Sequence, residues 1–519
     1  MAEARPQNEA LDLFDNTCLG KPKRLVVSQS FYTLTNSCPG NEIKEMKDLL
    51  VKNGLVVTED AEEICDILCS GEKIKQIGKN LSAQCRTAHN MEVIDAAGKI
   101  VVPGGVDVHT HLCLDTGSAR VSDDFYTGTL AAAWGGTTTI VDHPGFGPAA
   151  CSLDHQIKKY HSLAEGKAVI DYSFHGVIQH VDPHPAGVAD VLSMMETLAN
   201  EGITSYKIYT TYANKLSDRD IYRVLERAKE LNVLIAVHPE NDGIVNYLRG
   251  KFRAEGKLSP CYHPLSRPVE AEAEAINRMM LFARTAGDAP LYIVHLTNSL
   301  GLEFIKNARK LGQKNIYAET CPQYLLLDES LYSLPESEGL KYIMCPPLRS
   351  AGHREALWQG LGSDIDTVAT DHCPFIFETQ KILGKDDFTK CPSGVPGIEE
   401  RIPLMYSEGV AKKRLTLRRF TELCSTAPAK IFGLYPQKGV IKEGSDADIV
   451  VIDPEKRRIL GRDKLHANVD YSAYEGFEVQ GYPECVISRG EVIIKNEAAN
   501  AGSGRGRFIK RQRLLGGCL

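Results

Sequence analysis

His109 and His111 close the run P-G-G-V-D-V-H-T-H that starts at Pro103. Side chains two apart on a strand point to the same face, so both imidazoles can grip one metal ion. Four further segments end an apolar run in a metal-ligand type: T-S-Y-K-I-Y around Lys207, V-L-I-A-V-H-P-E-N around His238, P-L-Y-I-V-H-L-T-N around His295 and D-T-V-A-T-D-H-C around Asp371. Six such groups at comparable places imply two metal ions rather than one.

Lys207 needs its own argument, because an ammonium has no lone pair and is repelled by a cation. Burial on an apolar strand lowers its pKa, and a neutral amine can add carbon dioxide to become a carbamate, an anion with two oxygens. The alternative is a strand-end lysine with its head in solvent or paired to a carboxylate. The five histidine and aspartate groups on neighbouring strands favour the carbamate.

These residues must be positioned by a scaffold, and the pattern between them predicts one. Strand-like runs lie near 104–109, 137–143, 169–178, 205–211, 233–238, 290–296, 315–320 and 366–371, with helical stretches such as Ser217 to Glu230 and Ala271 to Ala286 between them. Alternating strands and helices indicate a parallel sheet. Eight units over about 270 residues match an α/β fold of the (β/α)8 TIM-like barrel type, whose reactive groups gather at the C-terminal strand ends. His109, His111, Lys207, His238, His295 and Asp371 all fall there. The sequence so far describes a metal-dependent barrel hydrolase.

Taken together, P-G-G-V-D-V-H-T-H, S-Y-K-I-Y, V-H-P-E-N, Y-I-V-H-L-T-N, E-T-C-P-Q-Y-L, P-P-L-R and A-T-D-H-C resemble the cyclic amidohydrolase family. Within it the chain is most similar to the bacterial D-hydantoinases and dihydropyrimidinases, the phenylhydantoinases above all. F-G-L-Y-P-Q-K-G and G-S-D-A-D-I-V-V-I-D-P, between Phe432 and Pro454, resemble the same group. The likeness spans Asp48 to Lys510.

That resemblance implies a binuclear site of two divalent ions, zinc. His109 and His111 would hold one, His238 and His295 the other, and carboxylated Lys207, which needs carbon dioxide, would bridge them. Asp371 would complete the coordination of the first ion and carry the proton. A hydroxide between the metals would attack the ring amide carbonyl of a cyclic ureide, a 5-substituted hydantoin or a dihydropyrimidine, to give an N-carbamoyl amino acid. Tyr212 matches a tyrosine that stabilises the oxyanion, although without the family it reads equally as a packing aromatic. Relatives carry serine where Cys345 stands and asparagine where Ser393 stands, and they hold the ureide by the backbone at both places. The substitutions leave catalysis credible and blur substrate preference.

Alternatives follow from the same family. Dihydroorotases and many allantoinases place an arginine or an acidic-proline element soon after the first His-x-His, whereas Arg120 stands nine residues past His111. The substrate edge is therefore read as apolar or small, shaped by loops near 112–122, 143–151 and 211–217. Non-catalytic scaffold homologues of dihydropyrimidinase have lost metal ligands, and this chain keeps all six. His143, His175, Glu240, His372 and Cys373 receive no role from the sequence.

Short strands near 49–57, 65–77 and 92–102, with others near 446–452, 477–480 and 484–495, predict a small β-sandwich formed by both chain ends. The expected organisation is an N-terminal extension at 1–47, taken as disordered, sandwich parts at 48–102 and 436–500, the barrel at 103–435, and a basic tail at 501–519. The tail, G-R-G-R-F-I-K-R-Q-R and its flanks, reads as a solvated end or as a contact with a neighbouring subunit of a homotetramer or homodimer. A net charge of −7 in 519 residues argues against nucleic acid as the main partner. Fifteen cysteines without paired spacing read as free thiols of a reducing cytoplasm. No apolar run of membrane-spanning length occurs and the first 47 residues lack an apolar signal segment, so neither a membrane anchor nor secretion is expected.

Overall fold

A computed structural model describes residues 48–81, 91–182 and 190–514. The extension at 1–47 and the last five residues of the tail, with the expectations placed on them, lie outside the described residues.

The chain first lays down strands β1 (Leu49–Val57), β2 (Glu62–Ser70), β3 (Lys73–Gly78), β4 (Glu92–Asp95) and β5 (Ile100–Pro103). The single strands expected at 65–77 and 92–102 are each broken in two, at turns where Gly71 and Gly98 take φ of 57° and 73°. Glycine adopts that left-handed conformation without the clash a Cβ would bring.

The barrel strands follow: β6 (Gly105–Thr110), β7 (Thr137–Asp142), β8 (Asp171–Phe174), β9 (Gly176–Val177), β10 (Ser205–Tyr209), β11 (Leu234–His238), β12 (Leu291–Ile293), β13 (Ile316–Thr320) and β14 (Thr367–Val368). β8 and β9 are one strand interrupted at His175, which gives eight positions. Nearly every residue in these strands is buried, as expected of a parallel sheet covered on both faces. Backbone pairing runs in two parallel ladders, β6-β7-β8 and β9-β10-β11-β12-β13-β14. The free ends meet through a Thr110–His372 bridge and through side chains. Asp107 of β6 accepts the Thr370 hydroxyl at 2.7 Å, and buried Arg401 donates to the carbonyls of Val106 and Val368 at 3.2 and 2.9 Å. At the entrance to the barrel, a Cβ on Gly104 would stand 2.1 Å from the Thr138 hydroxyl, so only glycine fits.

The helices between strands carry their own stop signals. Ser217 caps the helix Asp218–Leu231 by accepting from the Asp220 amide, and Asn232 ends it at φ 51°.

The chain then returns to the terminal sheet with β15 (Ile449–Ile459), β16 (Glu478–Ser488), β17 (Glu491–Lys495) and β18 (Ala498–Ala499). β15 starts later and runs further than the 446–452 expected. All nine terminal strands pair into one sheet, joined across the chain ends by β5 against β15. This single sheet curls like a sandwich around its own core, in which Leu49, Ile67 and Ile74 share a cluster with Ile449, Ile487 and Val492. The β3 edge folds back onto the chain entering β15, where the Ala447 amide donates to the carbonyl of Glu72 in the β2–β3 turn at 2.8 Å.

The tail departs from the reading of a solvated end. Residues 501–514 run against the chain's own barrel, with Ile509 packed beside Tyr292 and Phe432 in the cluster that also holds Val106 and Leu234. Arg511 is buried, and its guanidinium donates to the hydroxyls of Ser173 and Ser205 at 3.0 and 2.8 Å. Hydroxyls and carbonyls replace water around the cation, which is why Arg511 can be buried while Arg507 and Lys510 of the same run stay exposed. Burial without a carboxylate pulls the Arg511 pKa down to about 9.

Candidate metal centre

All nine residues singled out for chemistry line one cavity of about 430 Å³: His109, His111, Lys207, Tyr212, His238, His295, Cys345, Asp371 and Ser393. The three loops expected to shape its mouth are present as Leu114, Phe146 and Asn214, among others, and Arg120 does not line it.

The donors form two groups. His109 Nε2 and His111 Nε2 each lie 3.1 Å from Asp371 Oδ1, close enough for one ion to replace the space between them. His238 Nδ1 and His295 Nε2 face each other at 2.8 Å. Lys207 is 1 % exposed, and among the described residues no hydrogen bond or ion pair reaches its Nζ. It is near enough to both groups to depress the pKa of His109, His238 and His295.

Carboxylates fix the tautomers of these rings. His109 Nδ1 meets Glu319 Oε1 at 2.6 Å, and His238 Nε2 meets Glu240 Oε2 at 2.8 Å. A ring that donates from one nitrogen presents a lone pair at the other, which turns His109 Nε2 and His238 Nδ1 toward the cavity. Glu319 also accepts the His295 amide at 2.9 Å and the Tyr292 hydroxyl at 2.9 Å. Glu240 is held from behind by Arg267. Neither carboxylate received a role from the sequence. Glu319 sits inside the E-T-C-P-Q-Y-L motif, and its position at the end of β13 was the available signal.

Burial lowers the pKa of His109 and His295 far below the usual imidazole range, so both are neutral and keep a lone pair for a metal. Burial also brings Lys207 down to about 8, against the opposing pull of Asp371 and Glu319. Burial alone would raise Asp371, but His109, His111 and Lys207 outweigh it and hold the carboxylate at about 2. Tyr212 is pushed well above the ordinary tyrosine value by burial and keeps its proton.

His295, Asp371 and Tyr212 take φ of 40°, 52° and 72°. Such left-handed conformations cost about 1–3 kcal/mol each outside glycine and persist where surrounding structure enforces them, as at reactive sites. His143, unassigned from sequence, stacks on His175 at 3.8 Å, and neither nitrogen of the His143 ring has a hydrogen-bond partner among the described residues. His372 pairs with Asp123 at 3.0 Å and anchors the loop beside Asp371.

Bare imidazole nitrogens in two facing groups, an ionised carboxylate and an unpartnered buried amine form a donor set that fits two divalent cations. A parallel-stranded barrel with such a set at its C-terminal strand ends defines a class, the metal-dependent barrel hydrolases.

Comparison with known proteins agrees. Residues 100–493 match the model of the amidohydrolase family, and the chain belongs to that family. It is 49 % identical over 468 residues to a D-phenylhydantoinase of Escherichia coli O9:H4 (strain HS), covering 90 % of this chain and 99 % of that protein. Among solved structures it resembles the dihydropyrimidinase of Brevibacillus agri NCHU1002, with a TM-score of 0.86 at 43 % identity over 90 % of this chain and 99 % of that one. It also resembles the L-hydantoinase of Arthrobacter aurescens, with a TM-score of 0.80 at 30 % identity over 90 % of this chain and 100 % of that one.

Proposed function

We propose that this protein hydrolyses cyclic ureides, 5-substituted hydantoins or dihydropyrimidines, to N-carbamoyl amino acids. One observation carries the reading: six metal-ligand residues from five barrel strands converge with Tyr212, Cys345 and Ser393 on a single cavity. Likeness to proteins named D-phenylhydantoinase and dihydropyrimidinase supports it.

His109, His111 and Asp371 would hold one ion, His238 and His295 the other, with Lys207 as a bridging carbamate. When bound, divalent ions such as zinc acidify water and polarise an amide carbonyl. The chain's own residues do the rest. Asp371 turns Oδ1 toward His109 and His111, which leaves Oδ2 to take a proton from the attacking water and pass it to the ring nitrogen that leaves. The protonated Tyr212 hydroxyl donates to the oxygen that gains charge at the attacked carbon. The main chain at Cys345 and Ser393 orients the ureide against the far wall, and Leu114 and Phe146 offer apolar surface to a ring substituent.

The boundaries 48–102 and 436–500 for the two-part sheet domain and 103–435 for the barrel complete the reading. So does a cytoplasmic setting, supported by eleven free thiols among the described cysteines. Among the described residues no helix is long and apolar enough to cross a membrane. A homotetramer or homodimer is proposed, and a monomeric mass by light scattering at micromolar concentration would count against it.

The deciding experiment compares ring opening of dihydrouracil and D-5-phenylhydantoin by zinc-loaded protein at neutral to mildly alkaline pH. Opening of either supports the reading, and the preferred compound reports whether the pocket is shaped for a small or an aromatic ring. Turnover of neither, with two metals bound, overturns the ureide assignment.

A further inference from the structure

Cys345 and Ser393 line the cavity, and among the described residues no acceptor is found for the amide N–H of either. Each of these open amides belongs to a peptide unit whose carbonyl is gripped from behind by a buried side chain. The Met344 carbonyl, which shares a peptide with the Cys345 amide, accepts from His263 Nε2 at 2.8 Å. The Pro392 carbonyl, which shares one with the Ser393 amide, accepts from Lys381 Nζ at 3.1 Å. The same Nζ donates to the Ile343 carbonyl at 2.9 Å, and that carbonyl also accepts the Gly394 amide at 2.9 Å. One amine thus staples together the two segments that carry the open amides.

Lys381 is fully buried, and among the described residues no carboxylate pairs with it. Burial draws its pKa below the ordinary lysine value, and the titratable groups facing it are thiols, those of Cys345, Cys373 and Cys391. A cation kept dry without a counter-ion is costly, and a methionine would fill the same space without that cost. The positive charge falls on the two carbonyls that Nζ touches. A carbonyl that accepts such a bond makes the N–H of its own peptide a stronger donor, because hydrogen bonds in a chain polarise one another.

We propose that Lys381 is a positioning residue for ring opening: through the Pro392–Ser393 peptide it strengthens the donor that holds the ureide carbonyl not under attack. The inference rests on the ureide-hydrolase reading and deepens it. An N–H can pair only with an acceptor, and the edge of a cyclic ureide between its two nitrogens offers one, that second carbonyl oxygen. When the attacked carbon parts from the ring nitrogen, the bonding pair stays on nitrogen and is shared with this oxygen until Asp371 delivers the proton. The donor is therefore worth more in the transition state than in the bound substrate.

Lys381→Met should lower kcat for dihydrouracil about tenfold, less than the roughly 10²–10³-fold lost when an oxyanion donor itself is removed, and should change KM far less. Lys381→Gln keeps a neutral donor in place and should fall between the wild type and Lys381→Met; it carries the test where Lys381→Met does not fold. An unchanged kcat in either variant overturns the role of Lys381 while the ureide reading stands. A spectroscopic measurement stands apart from turnover. N-carbamoyl-D-phenylglycine labelled with 13C at the carbamoyl carbon is bound to the metal-loaded protein and its carbonyl stretch is read by infrared difference. That stretch should lie at lower frequency in the wild type than in water and move back up in Lys381→Met, a change that a merely loosened fold would not produce in the folded, ligand-bound variant. A frequency in the wild type no lower than in water overturns the proposal without any variant. If the wild type neither opens a ureide nor binds the carbamoyl compound, the ureide reading falls and this inference with it.

Discussion

Carbamate formation on Lys207 yields a quantitative expectation. Only the neutral amine attacks carbon dioxide, and burial brings this lysine to about 8. At pH 8 about half of it is then neutral, against about 0.3 % for a lysine at its ordinary value, a gain of roughly 150-fold in the reactive form. The sign is fixed by the direction of the shift: lowering the pKa moves the neutral form toward physiological pH. The experiment strips the metals, dialyses the protein into carbon dioxide-free buffer, and then restores zinc with 13C-bicarbonate. At constant dissolved carbon dioxide, the rate of recovery should rise about 50-fold between pH 6 and pH 8 and level off above about pH 9, as the neutral fraction does. A carbamate carbon signal should grow with the same kinetics. Full recovery without bicarbonate, absence of the carbon signal, or a rate that keeps climbing tenfold per pH unit through pH 10 would refute the reasoning. Lys207→Ala should lose activity and regain part of it when a short carboxylic acid is supplied, and an unrescued variant with full activity would end the bridging role.

Glu319→Gln keeps the shape but replaces the acceptor that fixes the His109 tautomer, and should weaken metal retention or activity about 10–100-fold, read by metal content after dialysis against a chelator; unchanged retention would separate Glu319 from the centre. Lys438 is buried among Asp171, Asp446 and Asp448 at 2.6, 2.9 and 2.9 Å, tying the barrel strand β8 to the chain entering β15. Lys438→Met should cost about 3–5 kcal/mol, because it leaves Asp448 buried without a cation and leaves Asp171 and Asp446 with Arg489 and Lys73 alone; a loss below 1 kcal/mol in urea unfolding would show that the cluster is dispensable. Burial opposes ionisation of Asp446, yet Lys438 and Lys73 hold its pKa below the ordinary value. Its contribution is therefore present above the unfolded carboxylate pKa of about 4 and fades as pH falls through the folded value, so the urea midpoint of the wild type should drop in that acid range and that of Lys438→Met should drop less.

What the sequence determined by itself was local. An apolar run ending in histidine, lysine or aspartate marks a strand and its C-terminal end, and the period of two says which side chains share a face. That reasoning located His109, Lys207, His238 and Asp371, and the eight strand positions, to within a few residues. It also placed the helix that begins after Ser217, since capping chemistry lies within a few residues along the chain. Only the tertiary structure decided the rest, because those interactions join residues far apart in sequence. Glu319 reaches His109 across 210 positions, Asp107 reaches Thr370 across 263, and Arg511 enters the barrel wall 306 residues after Ser205. A basic tail looks solvated until hydroxyls and carbonyls are found waiting for its cation. The left-handed backbone of His295, Asp371 and Tyr212 is likewise imposed from outside, by packing that no local propensity encodes.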